Sequence, residues 1–105
     1  HQRFATLSPD ELDDELGTSR DVLLARLGTV DRLAWPYGDL DDAPADIVAR
    51  ARAAGYRSAA ANVRGCHLTP IGADGPVLRD HALANWPPRQ LRWFLDRNLR
   101  RAAAP

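Results

Sequence analysis

A mixed α/β fold with parallel strands and about three helices is the class that these 105 residues predict, and three features of the sequence predict it. Helix-like and strand-like segments alternate with short connections, an order that favours parallel pairing with right-handed crossovers. Glycines follow two of the helical stretches, at Gly28 and Gly55, where a left-handed cap is wanted. The third feature is the apolar run Leu33-Ala34-Trp35, which breaks off at Pro36-Tyr37-Gly38. Pro36 has no N–H for a sheet, so the ladder must stop there, and in α/β proteins the carboxyl ends of strands are where ligands sit.

The elements follow in chain order. Ser8-Pro9-Asp10-Glu11 can form a capping box with proline at the first helical position, and Leu7 can staple onto Leu12. The spacing predicts a helix from Pro9 to Leu27, with Leu12, Leu16, Leu23 and Leu27 as its apolar stripe. Gly17 weakens its middle by about 1 kcal/mol relative to alanine, enough to allow a kink. A strand is expected from Val30 to Trp35, and an aromatic-Pro bond such as Trp35-Pro36 is a place where a cis peptide occurs. Gly38 then turns the chain with positive φ.

Asp42 is the expected cap of a second helix from Pro44 to Ala54, burying Ile47, Val48 and Ala51. Tyr56 to Val63 reads as a second strand whose alanines allow close helix packing. Arg64 to Pro76 is a long loop, Val77 to Arg79 a short strand, and Pro87-Pro88 opens a last helix to about Arg101 with Leu91, Phe94, Leu95 and Leu99 on its apolar side.

Composition narrows the function classes. No apolar run approaches the ~20 residues of a membrane-spanning helix, and residues 1–20 lack the basic and apolar regions of a secretory signal, so localisation stays open. One cysteine, Cys66, can make neither an internal disulfide nor a cysteine-pair metal site. The 14 basic residues are all arginine, and residues 1–49 hold 11 acidic residues against 4 arginines while residues 50–105 hold 3 against 10. Such asymmetry fits either two oppositely charged segments packed side by side or a basic face for polyanions.

Trp35-Pro36-Tyr37-Gly38, after a helix ending Leu27-Gly28 and before one ending Ala53-Ala54-Gly55-Tyr56-Arg57-Ser58-Ala59, resembles the middle and later part of the polysaccharide deacetylase family. The match in order and spacing runs over residues 1 to 83. The resemblance implies a partial distorted (β/α) barrel, with residues 1–105 as the C-terminal part of the catalytic domain and its N-terminal half outside the chain. It implies a hydrolase that removes acetyl groups from the amino sugars of a polysaccharide or oligosaccharide, with a divalent metal, zinc above all, as cofactor.

Site residues carry over from the same resemblance. His1 falls where the family's second metal-binding histidine stands; on its own it reads equally as an exposed terminal residue. Tyr37 matches the tyrosine whose backbone N–H faces the oxyanion, with Trp35 and Pro36 walling the groove; the alternative is rim packing. Ala34 stands where many members have an arginine, which points away from chitin-type specificity.

His81 is the candidate general acid for the leaving amine, one residue off the family's spacing, and Asp80 beside it could raise its pKa on contact. His67 reads as a surface residue and Cys66 as a small apolar one. Arg79 would close the groove or pair with a carboxylate. Without the first histidine and the aspartates of the N-terminal half, the chain alone is expected to be inactive. The competing reading is a small α/β binding module that uses Arg89, Arg92, Arg97, Arg100 and Arg101 of the last helix on a polyanion, although Trp93 and Phe94 among them look placed for packing, so nucleic acid is not favoured.

Overall fold

The longest element starts where the side chains satisfy its free backbone donors. The Glu11 N–H donates to the Ser8 hydroxyl at 3.2 Å and the Ser8 N–H donates to the Glu11 carboxylate at 2.8 Å, with Pro9 entering the first turn. Helix α1 runs Pro9–Leu27 and closes on Gly28 at φ 79°, at the expected bounds. The structure, a computed structural model, describes residues 1–72 and 74–105. Ala73, within the expected loop, lies outside the described residues.

After α1 come strand β1 (Arg32–Ala34), helix α2 (Ile47–Ala53), strand β2 (Ser58–Ala60) and helix α3 (Pro88–Ala103). β1 and β2 pair in parallel, Leu33 opposite Ala59, and a parallel bridge between Ala60 and Val77 adds the start of a third strand beside β2. The architecture is mixed α/β, and its two-stranded sheet is open. No helix among the described residues is long and apolar enough to cross a membrane.

Both strands are shorter than the apolar runs suggest, and β2 starts late because the backbone before it is already committed. Tyr56 donates its N–H to Ala51 and Gly55 donates to Arg52, each at 3.0 Å, which ends α2 in a Schellman turn through Gly55 at φ 104°. α2 itself starts at Ile47 because Asp42 is spent earlier. Its carboxylate accepts the Asp39 N–H at 3.1 Å to close a 3-10 turn, Leu40–Asp42, and also takes Arg3 at 2.9 Å. The peptide bonds of the described residues are all trans, so the Trp35-Pro36 bond is not cis.

Phe4, Leu12, Leu16, Trp35, Ile47 and Val48 form most of the core, with Ala51, Ala59 and Ala61 letting α2 approach the sheet. Burying a leucine or isoleucine contributes about 1.5–3 kcal/mol, so a core this small depends on each of them. Arg50 fastens α2 to α1 by reaching Asp13 at 2.9 Å while holding Asp46 at 2.9 Å. Those carboxylates raise its pKa, Asp13 first and Asp46 second, against an opposing effect of burial. Both ion pairs that join the acidic and basic halves of the sequence pass through this one guanidinium.

The expected apolar stripes are only half used. Leu12 and Leu16 are 1% exposed, but Leu23 and Leu27 of the same stripe are 44% and 67% exposed. A 19-residue helix is about 28 Å long whereas a three-residue strand covers about 10 Å, so α1 outruns the sheet beneath it. Leu91, Leu95 and Leu99 of α3 are exposed too, leaving Phe94 and Asn98 to make the contact. The accessible surface is 7556 Å², against about 5,800 Å² for a compact monomer of this mass. The radius of gyration is 15.6 Å, against about 13 Å for a compact domain of this length.

A Cβ added at Gly17 meets nothing within 4 Å. Gly17→Ala should therefore raise the unfolding free energy by about 1 kcal/mol in urea titration, by removing glycine's backbone entropy cost inside a helix.

Candidate functional site

The carboxyl edge of the sheet begins at the reversal after β1. Tyr37 has φ 65° and Gly38 φ 84°. Positive φ is ordinary for glycine but a genuine outlier for a bulky side chain, at a cost of about 1–3 kcal/mol that the surroundings must offset. The restraints are visible. Trp35, 4% exposed, donates its indole N–H to the Asp39 carbonyl at 2.9 Å across the turn. Asn62, just past β2, donates its N–H to the Gly38 carbonyl at 2.7 Å. The contact there is so close that a Cβ on Gly38 would lie 2.5 Å from the Asn62 Cβ.

The tyrosine ring is fixed from the amino-terminal side. Its hydroxyl donates to the His1 carbonyl at 3.2 Å, and the Arg3 guanidinium lies 5.0 Å from the ring centroid. The Tyr37 N–H makes no hydrogen bond among the described residues. Tyr37 and His1, remote in sequence, thus share one edge. Trp35 is turned into the core instead of lining an open groove, and Pro36 is half-buried beside it.

A single imidazole does not make a metal centre, and the Asp42 carboxylate is already occupied by Arg3. Among the described residues no three His, Cys, Asp or Glu side chains come together as a ligand set. The residues present therefore do not by themselves fit a tightly held divalent ion.

The third strand delivers a second cluster to the same edge. Arg64 reaches Asp80 at 3.4 Å and the His81 Nε2 at 3.4 Å while lying 4.1 Å from the centroid of Phe94, which stacks on Trp86 at 4.8 Å. Arginine can only donate, so in a hydrogen bond between the two Nε2 is the acceptor. The Asp80 carboxylate is engaged by Arg64 and by the Asn98 amide, not by His81. Arg79 donates from Nε to the Ala61 carbonyl at 3.1 Å and pairs with no carboxylate among the described residues.

Arg64, Trp86 and Asn98 escaped the sequence reading. A polar residue on the docking face of α3 was the one signal that pointed to them. His67, expected to be an idle surface residue, accepts the Leu78 N–H at 3.0 Å and pins the long loop to the third strand.

No family model, curated protein or solved structure matches this chain.

Two substitutions check this geometry. Gly38→Ala should destabilise the protein by more than about 2 kcal/mol, read as a lowered urea midpoint, since both the left-handed backbone and the Asn62 contact reject a Cβ. Asn98, 4% exposed, anchors α3 through Asp80, so Asn98→Ala should cost about 1–3 kcal/mol and speed amide exchange in α3.

Proposed function

We propose that this chain is the C-terminal portion of a polysaccharide deacetylase-like domain, a metal-dependent hydrolase that removes acetyl groups from amino sugars, and that its sheet is a segment of a distorted (β/α) barrel. The observation that carries this reading is Tyr37, held left-handed at the carboxyl edge of a parallel sheet with an unengaged N–H and tied to His1. Strain kept in place by close packing is a mark of a functional segment. The open sheet and the surface in excess of a compact monomer support a domain completed by further chain.

Amide hydrolysis builds negative charge on the former carbonyl oxygen. A fixed backbone donor at Tyr37 would stabilise that charge by about 3 kcal/mol without reorganising. His81, at the end of the third strand, would act as the imidazolium, passing to the departing amine a proton that its ring has first taken up; Arg64 would hold the ring only while Nε2 is unprotonated. Pro36 and Arg79 would border the sugar, and Trp35 would brace the wall from beneath. A zinc-class ion would be held mainly by residues outside this chain, with His1 as one ligand; no step here is assigned to it.

A second reading keeps a specific observation in its favour. Trp93 touches Phe94 edge-on at 4.9 Å but stays 52% exposed, and Arg97 lies 5.0 Å from its ring centroid, with Arg100 and Arg101 along the same concave face. Such an arginine and aromatic face on α3 suits a polyanion.

The test has two arms. The 105-residue chain with added zinc should release no acetate from a chitooligosaccharide, whereas the gene product extended upstream should do so and lose the activity on chelation. In that extended protein Tyr37→Phe should stay within a few-fold of the parent rate, because the backbone donor survives, and His81→Ala should lower kcat about 10²-fold or more. Acetate release unchanged by His81→Ala removes that residue from the mechanism. An extended protein without activity, combined with salt-sensitive RNA or DNA binding lost in Arg97→Gln/Arg101→Gln, selects the second reading.

A further inference from the structure

At the opposite, amino edge of the sheet three arginines from three segments converge. Arg32 opens β1, Arg57 precedes β2, and Arg52 comes from the last turn of α2; with Ser58 and Val48 they line one cleft of about 340 Å³. The ion pairs of the described residues are Arg3–Asp42, Arg50–Asp13, Arg50–Asp46 and Arg64–Asp80, so none of these three guanidiniums has a carboxylate within 4.0 Å. The Ser58 hydroxyl likewise makes no hydrogen bond among the described residues. One acidic residue, Asp31, also lines the cleft; its backbone carbonyl takes the Arg57 N–H at 2.7 Å, while its carboxylate pairs with none of the three.

Three like charges gathered in a concavity repel one another, and that repulsion stands until an anion enters. Arg3, Arg50 and Arg64 are each paired with a carboxylate, Asp42, Asp13 with Asp46, and Asp80, whereas these three share one cleft without such a pair. Arginine forks match tetrahedral oxyanions through paired N–H donors, and a serine hydroxyl adds another donor. We infer that this cleft is an oxyanion site for a phosphoryl group, built from Arg32, Arg52, Arg57 and Ser58. It lies across the sheet from the Tyr37 edge and does not depend on the deacetylase reading.

Inorganic phosphate titrated into the 15N-labelled chain at constant ionic strength is the direct test. Saturable shifts centred on the Arg57, Ser58 and Arg52 signals are expected. Arg52→Gln and Arg57→Gln should each weaken the apparent affinity about three- to five-fold, and Asp31→Asn should strengthen it by a similar factor. All three side chains are on exposed residues, so the fold should survive, as an unchanged amide spectrum without phosphate would verify. Shifts that stay linear, that chloride reproduces at the same ionic strength, or that are indifferent to all three substitutions would overturn the site. If the same shifts appear with a phosphate-bearing oligosaccharide at lower concentration than with free phosphate, the group is recognised as part of a larger molecule.

Discussion

The contact between Gly38 and Asn62 governs much of what surrounds it. A reversal of the chain at the end of β1 and the backbone just past β2 approach so closely that no side chain fits between them. The short Asn62–Gly38 hydrogen bond then locks the reversal to the sheet. Because that anchor is rigid, the preceding residue can be held in a conformation that a tyrosine would abandon if free. The strain at Tyr37 is offset by an indole bond across the turn, a hydroxyl bond to His1 and an arginine against the ring.

Around that corner the protein is packed unevenly. Between α1, α2 and the sheet the core is apolar and closed, with Leu12, Leu16 and three alanines excluded from water. The C-terminal helix is attached differently. Its leucines face outward, and it meets the rest of the chain through Phe94 under the Arg64 guanidinium and through the amide of Asn98 on Asp80, while its apolar ridge stays open. The same exposure on the second half of α1 gives the chain more surface than a compact monomer of its mass would show.

The two edges of the sheet differ in chemistry for reasons that local sequence explains only in part. At the carboxyl edge two ion pairs stand near the candidate site, Arg3 with Asp42 and Arg64 with Asp80, while Arg79 is held by the Ala61 carbonyl. At the amino edge Arg32, Arg52 and Arg57 line one cleft with Asp31, and among the described residues none of the three pairs with a carboxylate. The segregation of acidic and basic residues along the chain therefore does not resolve into two neutralising layers. Among the described residues only Arg50 bridges the halves by ion pairs, and the arginines of the amino edge are left where anions can reach them.

Where an element is decided within a few residues, the sequence sufficed. The bounds of α1 follow from Ser8, Glu11 and Gly28, each acting on a backbone group three or four residues away. Gly38 and Gly55 were readable as left-handed turns on the same ground. Tertiary structure alone decided the rest, because burial and pairing depend on what lies opposite. Leucines at one helical spacing are buried at position 12 and exposed at position 27, and Asp42 closes the 3-10 turn that Asp39 caps instead of capping α2, because Asp39 and Arg3 engage its carboxylate. The left-handed Tyr37 and the Arg64 cluster arise from contacts more than fifteen residues apart, which no local pattern encodes.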